Sequence, residues 1–242
     1  MLGASRTAQL FIGFTVLCGV TAMGYGLLQT HSLHPLQFIT MLVIALAASR
    51  LKVKLPGLTS SMSVNLPFIL IATMGLSLIE ALIIGLTSTA VQCFPKSGGW
   101  PKPVQILFNV STMAVAVGLA GRIFQGRMQP PTASVSGSLL LVLAAATFFL
   151  VQTIPVATII SLTEGGSLPQ IWSSISQQSF PYYVLSAGVT SLVTTASHRV
   201  GWQVPLLVLA VMYGVYRSYR LYFGREEIPA RPIALAKAAA AE

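Results

Sequence analysis

A chain of 242 residues that is 54% hydrophobic and 8% charged, with a mean hydropathy of +0.78, is not a soluble domain. Soluble domains carry about a quarter charged residues. The formal net charge of +9 does not point to nucleic acid, because the lysines and arginines fall in short loops between apolar runs, as in integral membrane proteins.

The fold class this implies is all-α: a polytopic transmembrane helix bundle in contact with membrane lipids. A membrane helix needs about 20 apolar residues, and slightly fewer suffice when the flanks reach the interface. The first candidate covers 9–29. Its apolar run is longer than the roughly 7–15 residues of a signal-peptide core, so it reads as a retained helix. A second, shorter candidate covers 35–49. The basic, strand-flavoured segment Arg50-Leu-Lys-Val-Lys-Leu-Pro-Gly57 follows it.

A third candidate, 62–74, is short for a span and carries Asn65 and Pro67. After the turn Gly75-Leu-Ser77, a fourth covers 78–94 and opens with Glu80. Interrupted spans are tolerated where backbone lines a protein-enclosed cavity, which makes 50–94 the first pointer to function.

Pro95-Lys-Ser-Gly-Gly-Trp-Pro-Lys-Pro103 is a turn-rich loop that places Pro103 in the first turn of a helix over 103–122. Gln129–Gly137 is linker-like. Pro155 is expected to bend the next helix, 138–162. Ser167-Leu-Pro-Gln170 with Ile171, Trp172, Ile175 and Phe180 reads as a short interfacial amphipathic helix, with Ser167 as its N-cap and Gln170 as its partner. Spans over 180–196 and 204–222 complete the set. The expectation is about 6–8 membrane helices with one short or broken span and one interfacial helix. Residues 1–224 form the bundle, and 225–242 form a disordered cytoplasmic tail.

If all eight segments cross, eleven of the 14 basic residues fall on the side of the N-terminus and three (Arg122, Arg127 and Arg199) on the other. That bias places both termini in the cytoplasm, with the chain in the inner membrane. A dip-and-return at 62–74 would lower the count to six or seven crossings. It would also move Lys96 and Lys102 outside, against the bias.

Glu80 is the only carboxylate inside an apolar segment, and an intramembrane acid is a ligand or proton-relay candidate. Ser77-Leu-Ile-Glu80 also has the form of a capping box, with the acid near the positive helix end, and this structural reading is preferred. Gln105 and Asn109 lie one turn apart on one face, with Thr112 beside them. Asn65, Gln92 and Gln152 are further amides in apolar surroundings. Such amides recognise a polar ligand or hydrogen-bond helices together. Ala114/Gly118 and Ala116/Ala120 have the small-xxx-small spacing that lets another helix come close.

Cys18 and Cys93 show no metal or redox spacing. His31, His34 and His198 are loop or interface residues with no acid or cysteine beside them. The chain has no aspartate, phosphate loop or zinc-protease motif, and no enzymatic activity is expected. Tyr213-Gly-Val-Tyr-Arg217 and the residues that follow read as an aromatic belt with a basic anchor.

Five segments, taken in order, carry a resemblance: Arg50–Gly57, Ser61-Met-Ser-Val-Asn65, Pro103 leading into Val104-Gln-Ile-Leu-Phe-Asn109, Ser179-Phe-Pro-Tyr-Tyr183 and Val215-Tyr-Arg-Ser-Tyr-Arg220. Together they resemble the N-terminal multi-pass membrane sensor module of bacterial signalling proteins. In those proteins the module precedes a cytoplasmic diguanylate cyclase (GGDEF) or HD-type phosphohydrolase domain. The resemblance extends to about Glu227. No such output domain follows in this sequence, so a stand-alone relative or the membrane part alone is expected.

The Leu-Pro-Gly loop, the short Ser/Asn-bearing span and the Asn-bearing later helix are also similar to the substrate-binding S components of energy-coupling-factor vitamin transporters. In that likeness Asn65, Gln105, Asn109 and Tyr182 become cavity residues, and the small-residue faces dock a transporter scaffold. The leading expectation is a sensor or ligand-binding module that takes a small molecule and partners a cytoplasmic signalling enzyme. An S component and a structural subunit of a larger membrane complex are the alternatives. The sequence assigns no cofactor. Within it, the Asn65 arm paired with the Gln105/Asn109 stripe is the favoured ligand site, ahead of Glu80.

Overall fold

The computed structural model describes residues 6–29, 34–54, 61–94, 102–124, 137–200 and 204–224. The loops expected at 95–101 and 129–136, the Leu-Pro-Gly turn at 55–57, His31 and the tail from 225 lie outside the described residues. Among the described residues the chain forms α1 (Arg6–Leu28), α2 (Pro35–Ser49), α3 (Leu66–Gly75), α4 (Leu78–Cys93), α5 (Pro103–Phe124), α6 (Gly137–Glu164), α7 (Leu168–Val200) and α8 (Val204–Gly224). The helical bundle expected from composition is present. Among the described residues the only sheet is a two-stranded ribbon, β1 (Lys52–Lys54) and β2 (Ser61–Ser63). Also among them, three helical stretches are long and apolar enough to cross a membrane: Arg6–Leu28, Pro103–Phe124 and Leu139–Glu164.

Two expectations change in detail. The third candidate span is half ribbon and half helix. Residues 62 and 63 belong to β2, which pairs antiparallel with β1 in the register Lys52↔Ser63, Val53↔Met62 and Lys54↔Ser61. The remaining helix, α3, has ten residues and a length of about 15 Å. The amphipathic segment after Ser167 and the span expected from 180 are continuous as the 33-residue α7, which passes through Pro181. The α6–α7 turn uses Gly165 (φ 75°) and Gly166 (φ 115°), a backbone region that side-chain-bearing residues avoid. Ser167 then offers its carbonyl to the Ile171 N–H at 3.2 Å. Pro155 is tolerated within α6 without ending it.

Specific contacts fix the helix directions. Phe11 meets Phe108, Gly19 abuts Ser111, Ala22 abuts Gly118 and Arg122 lies over Tyr25, so α1 and α5 run parallel. The His34 N–H donates to Glu80 near the start of α4, and the Lys52 ammonium donates to the Phe94 carbonyl at its end. Therefore α2 and α4 also run parallel. The short α3 must carry the chain back between them, from the end that holds Arg50 to the end that holds Ser77.

The core sits around α3, where Leu66 to Thr73 are all buried. A helix that is apolar all round belongs in an interior. Here that interior is made by α4, α7, α5 and α2. Small residues set the wall. A Cβ on Gly19 would stand 2.7 Å from the Ser111 Cβ, and one on Gly121 would stand 3.0 Å from the Leu78 Cδ1. Ala114, Ala116 and Ala120 are fully buried. The close helix approach expected from the small-xxx-small spacing is realised between α1 and α5 at Gly118, where an added Cβ would stand 3.3 Å from the Ala22 Cβ.

Candidate functional site

The N-terminus of α3 opens inside the bundle. The first N–H groups of a helix have no partner within it, and an unmet N–H in an apolar interior costs several kcal/mol. Pro67 removes one of these donors outright. The Leu66 N–H donates to the Tyr182 hydroxyl at 3.2 Å, and the Thr190 hydroxyl approaches the Pro67 carbonyl at 3.5 Å. Asn65 occupies the N-cap position with φ −90° and ψ −14°, and only 4% of its surface is exposed. Two side chains of α7 therefore hold an end of α3 that the sequence places more than a hundred residues away.

The face of α7 that does this is a buried stripe: Ile175, Ser179, Tyr182, Ser186, Thr190 and Val193. The spacing of three or four residues keeps them on one side. Ser179 and Ser186 donate to carbonyls one turn back on their own helix, at 2.7 Å each, and so stay satisfied in an apolar setting. On the flank, Phe149 of α6 packs edge-on against Phe180 and Tyr183, with centroids at 5.7 and 5.1 Å. Sequence reading singled out Tyr182 but missed Ser179, Ser186 and Thr190. Their common phase on one helix was the available signal, hidden by treating 167–180 and 180–196 as separate elements.

Glu80 is buried and fully engaged. Its carboxylate accepts from the Ser77 N–H at 3.0 Å, the Ser77 hydroxyl at 2.6 Å and the His34 N–H at 3.2 Å, while the Ser77 Oγ accepts from the Glu80 N–H. The capping box read from Ser77–Glu80 is present, and it also pins the start of α2 to the start of α4. At the same end of the bundle the Arg122 guanidinium sits 4.5 Å from the centroid of the Tyr25 ring, and the Tyr25 hydroxyl accepts from the Gln29 amide.

Gln105 and Asn109 enter other contacts. Gln105 is exposed on α5. Asn109 donates to the Cys93 sulfur at 3.5 Å, joining α5 to the last turn of α4. Gln152 does the same from α6 to the Met113 sulfur, also at 3.5 Å. Sequence-predicted residues thus separate into an α3–α7 group, Asn65 and Tyr182, and an α4–α5 group, Asn109 with Gln105 at the surface beside it. The first group offers a phenol, hydroxyls and an amide at the head of a buried half-helix. That is a set for neutral hydrogen bonding rather than for acid–base chemistry.

The family model MASE9, which describes membrane-associated sensor domains, matches residues 15–222. The chain belongs to the MASE9 family. The match begins inside α1 and ends near the close of α8, so the MASE9 domain takes in α3, the α7 stripe and both ends of the bundle. No curated protein and no solved structure matches the chain. As a MASE9 domain it is a membrane sensor module, in line with the resemblance carried by the Arg50–Gly57, Ser179–Tyr183 and Val215–Arg220 segments.

Proposed function

We propose that this MASE9 domain is a non-catalytic input module that takes up a small polar ligand at the head of α3 and passes the change to a cytoplasmic signalling enzyme of the GGDEF or HD type. The observation that carries the reading is the interior half-helix. Its N-terminal Leu66 N–H is held by Tyr182 on another element, so a ligand that competes for this bond shifts α3 against α7. Broken spans whose ends lie among polar side chains are a recurrent way to build a binding site within a membrane. Asn65 and Tyr182 are the contact residues in this reading, with Thr190 beside them. Glu80 keeps its structural role. The family assignment favours sensing over a vitamin-transporter component.

The signal leaves through α7 and α8, since α7 packs on α3 and on α8, while α8 packs on β1 and α2. The basic residues at the Arg50 end support a cytoplasmic location for that end. Reporter fusions at either terminus test this orientation: cytoplasmic activity at both ends is expected, and a periplasmic signal at either refutes it.

The ligand reading is tested by native mass spectrometry of the purified full chain. A small molecule bound to the parent and lost in Asn65→Ala and Tyr182→Phe is the expected result. A parent that carries none, together with variants that leave every cellular phenotype unchanged, would sink the proposal.

A further inference from the structure

We propose that the Arg50 end of the bundle binds the phosphate headgroup of an anionic phospholipid. This is independent of the ligand reading above, which concerns the buried head of α3 rather than the exposed basic residues at this end. The parallel pairing of α1 with α5 sets Arg6, the first residue of α1, and Lys102, just before α5, at one end. The parallel pairing of α2 with α4 brings Arg50 and Lys52 to that same end. The Asn109–Cys93 and Lys52–Phe94 bonds attach the α5 helix and the ribbon to the last residue of α4 and the residue that follows it.

Arg6, Arg50 and Lys102 are exposed and form no ion pair among the described residues. Lys52 is half-buried and donates to the Phe94 carbonyl at 2.6 Å. Its charge thereby offsets the negative end of α4, which would otherwise repel an anion. Beside it α5 begins, with its positive helix end at Lys102 and the exposed Gln105 in its first turn.

Basic residues at a membrane surface attract anionic lipid, each strengthening binding by about fivefold. Among the described side chains at the opposite end, Arg122 rests on the Tyr25 ring, and the Glu80 carboxylate stands at that end as well. Charge complementarity and position at the edge of the apolar bundle together select a lipid rather than a soluble anion.

The test uses the full chain, delipidated and reconstituted in nanodiscs of phosphatidylcholine with or without phosphatidylglycerol, then read by native mass spectrometry. Phosphatidylglycerol is expected to remain bound where phosphatidylcholine does not. The double variant Arg50→Gln with Lys102→Gln should lower that retention by fivefold or more, while Arg122→Gln at the far end leaves it unchanged. Both substituted side chains are exposed, and an unaltered thermal midpoint confirms that the variant is folded. Equal retention of the two lipids, or equal retention by parent and double variant, overturns the proposal. Displacement of phosphatidylglycerol by millimolar inorganic phosphate would assign the site to a soluble anion and overturn it as well.

Discussion

The helices α1 and α3 are both apolar, yet they answer to different surroundings. The 23 residues of α1 bury only Ala8, Thr15, Gly19 and Gly26, and leave Leu10, Phe14, Leu17 and Leu27 more than 60% exposed. Its length and outward face suit a bilayer of about 30 Å. The ten residues of α3 bury eight, and its length suits only the space between α4 and α7. One helix is a wall shaped by lipid, and the other is contents shaped by protein. Apolarity alone does not tell the two apart; length and the identity of the neighbours do.

This contrast is tested most severely at Phe68, which is fully buried in the middle of α3. Phe68→Ala should cost about 3 kcal/mol in reversible unfolding, because the void left among packed side chains forfeits contacts whether the surroundings are lipid or water. A cost near zero would mean that α3 is not enclosed. Next in size is Gly19→Leu. The wall meets α5 backbone to backbone there, and the added side chain has no room beside Ser111. An overpacking loss of about 2 kcal/mol is expected by the same measurement.

Ser77→Ala removes the hydroxyl of the capping box and should cost about 1 kcal/mol. Tyr182→Phe deletes the acceptor for the Leu66 N–H and should also cost about 1 kcal/mol. In addition it should speed hydrogen exchange at the start of α3 relative to the rest of the bundle. At the other extreme, Leu17→Ala on the exposed face of α1 should stay within about 0.5 kcal/mol of the parent. If Leu17→Ala proved as costly as Phe68→Ala, the outer face of α1 would be a protein contact and the contrast would collapse.

Much of this was legible in the sequence, for reasons that differ by element. Apolar runs located seven of the eight helices among the described residues, since helix length and composition are local properties. Ser77 and Glu80 announced their capping box because both partners lie within one turn. The strand flavour of Arg50–Gly57 came from alternating residues, and β1 forms there. The continuity of α7 was hidden. Serines, glutamines and Pro181 all signal a break, and only packing of the buried stripe against α3 overrides them. The surroundings of the amides were equally hidden. Whether Gln105 faces solvent, or Asn109 finds the Cys93 sulfur, depends on the rotation of α5 against α4, which no single segment encodes.

The seat of α3 also has a consequence in time. Its N-terminal partners on α7, Tyr182 and Thr190, lie 116 and 123 residues further along the chain. At synthesis rates of 5–20 residues per second, the ribosome needs on the order of ten seconds to deliver them. During that interval a segment too short to cross the bilayer unaided has only α2 and α4, and later α5, for company. The segment that becomes the centre of the domain therefore completes these contacts only after α7 has been made.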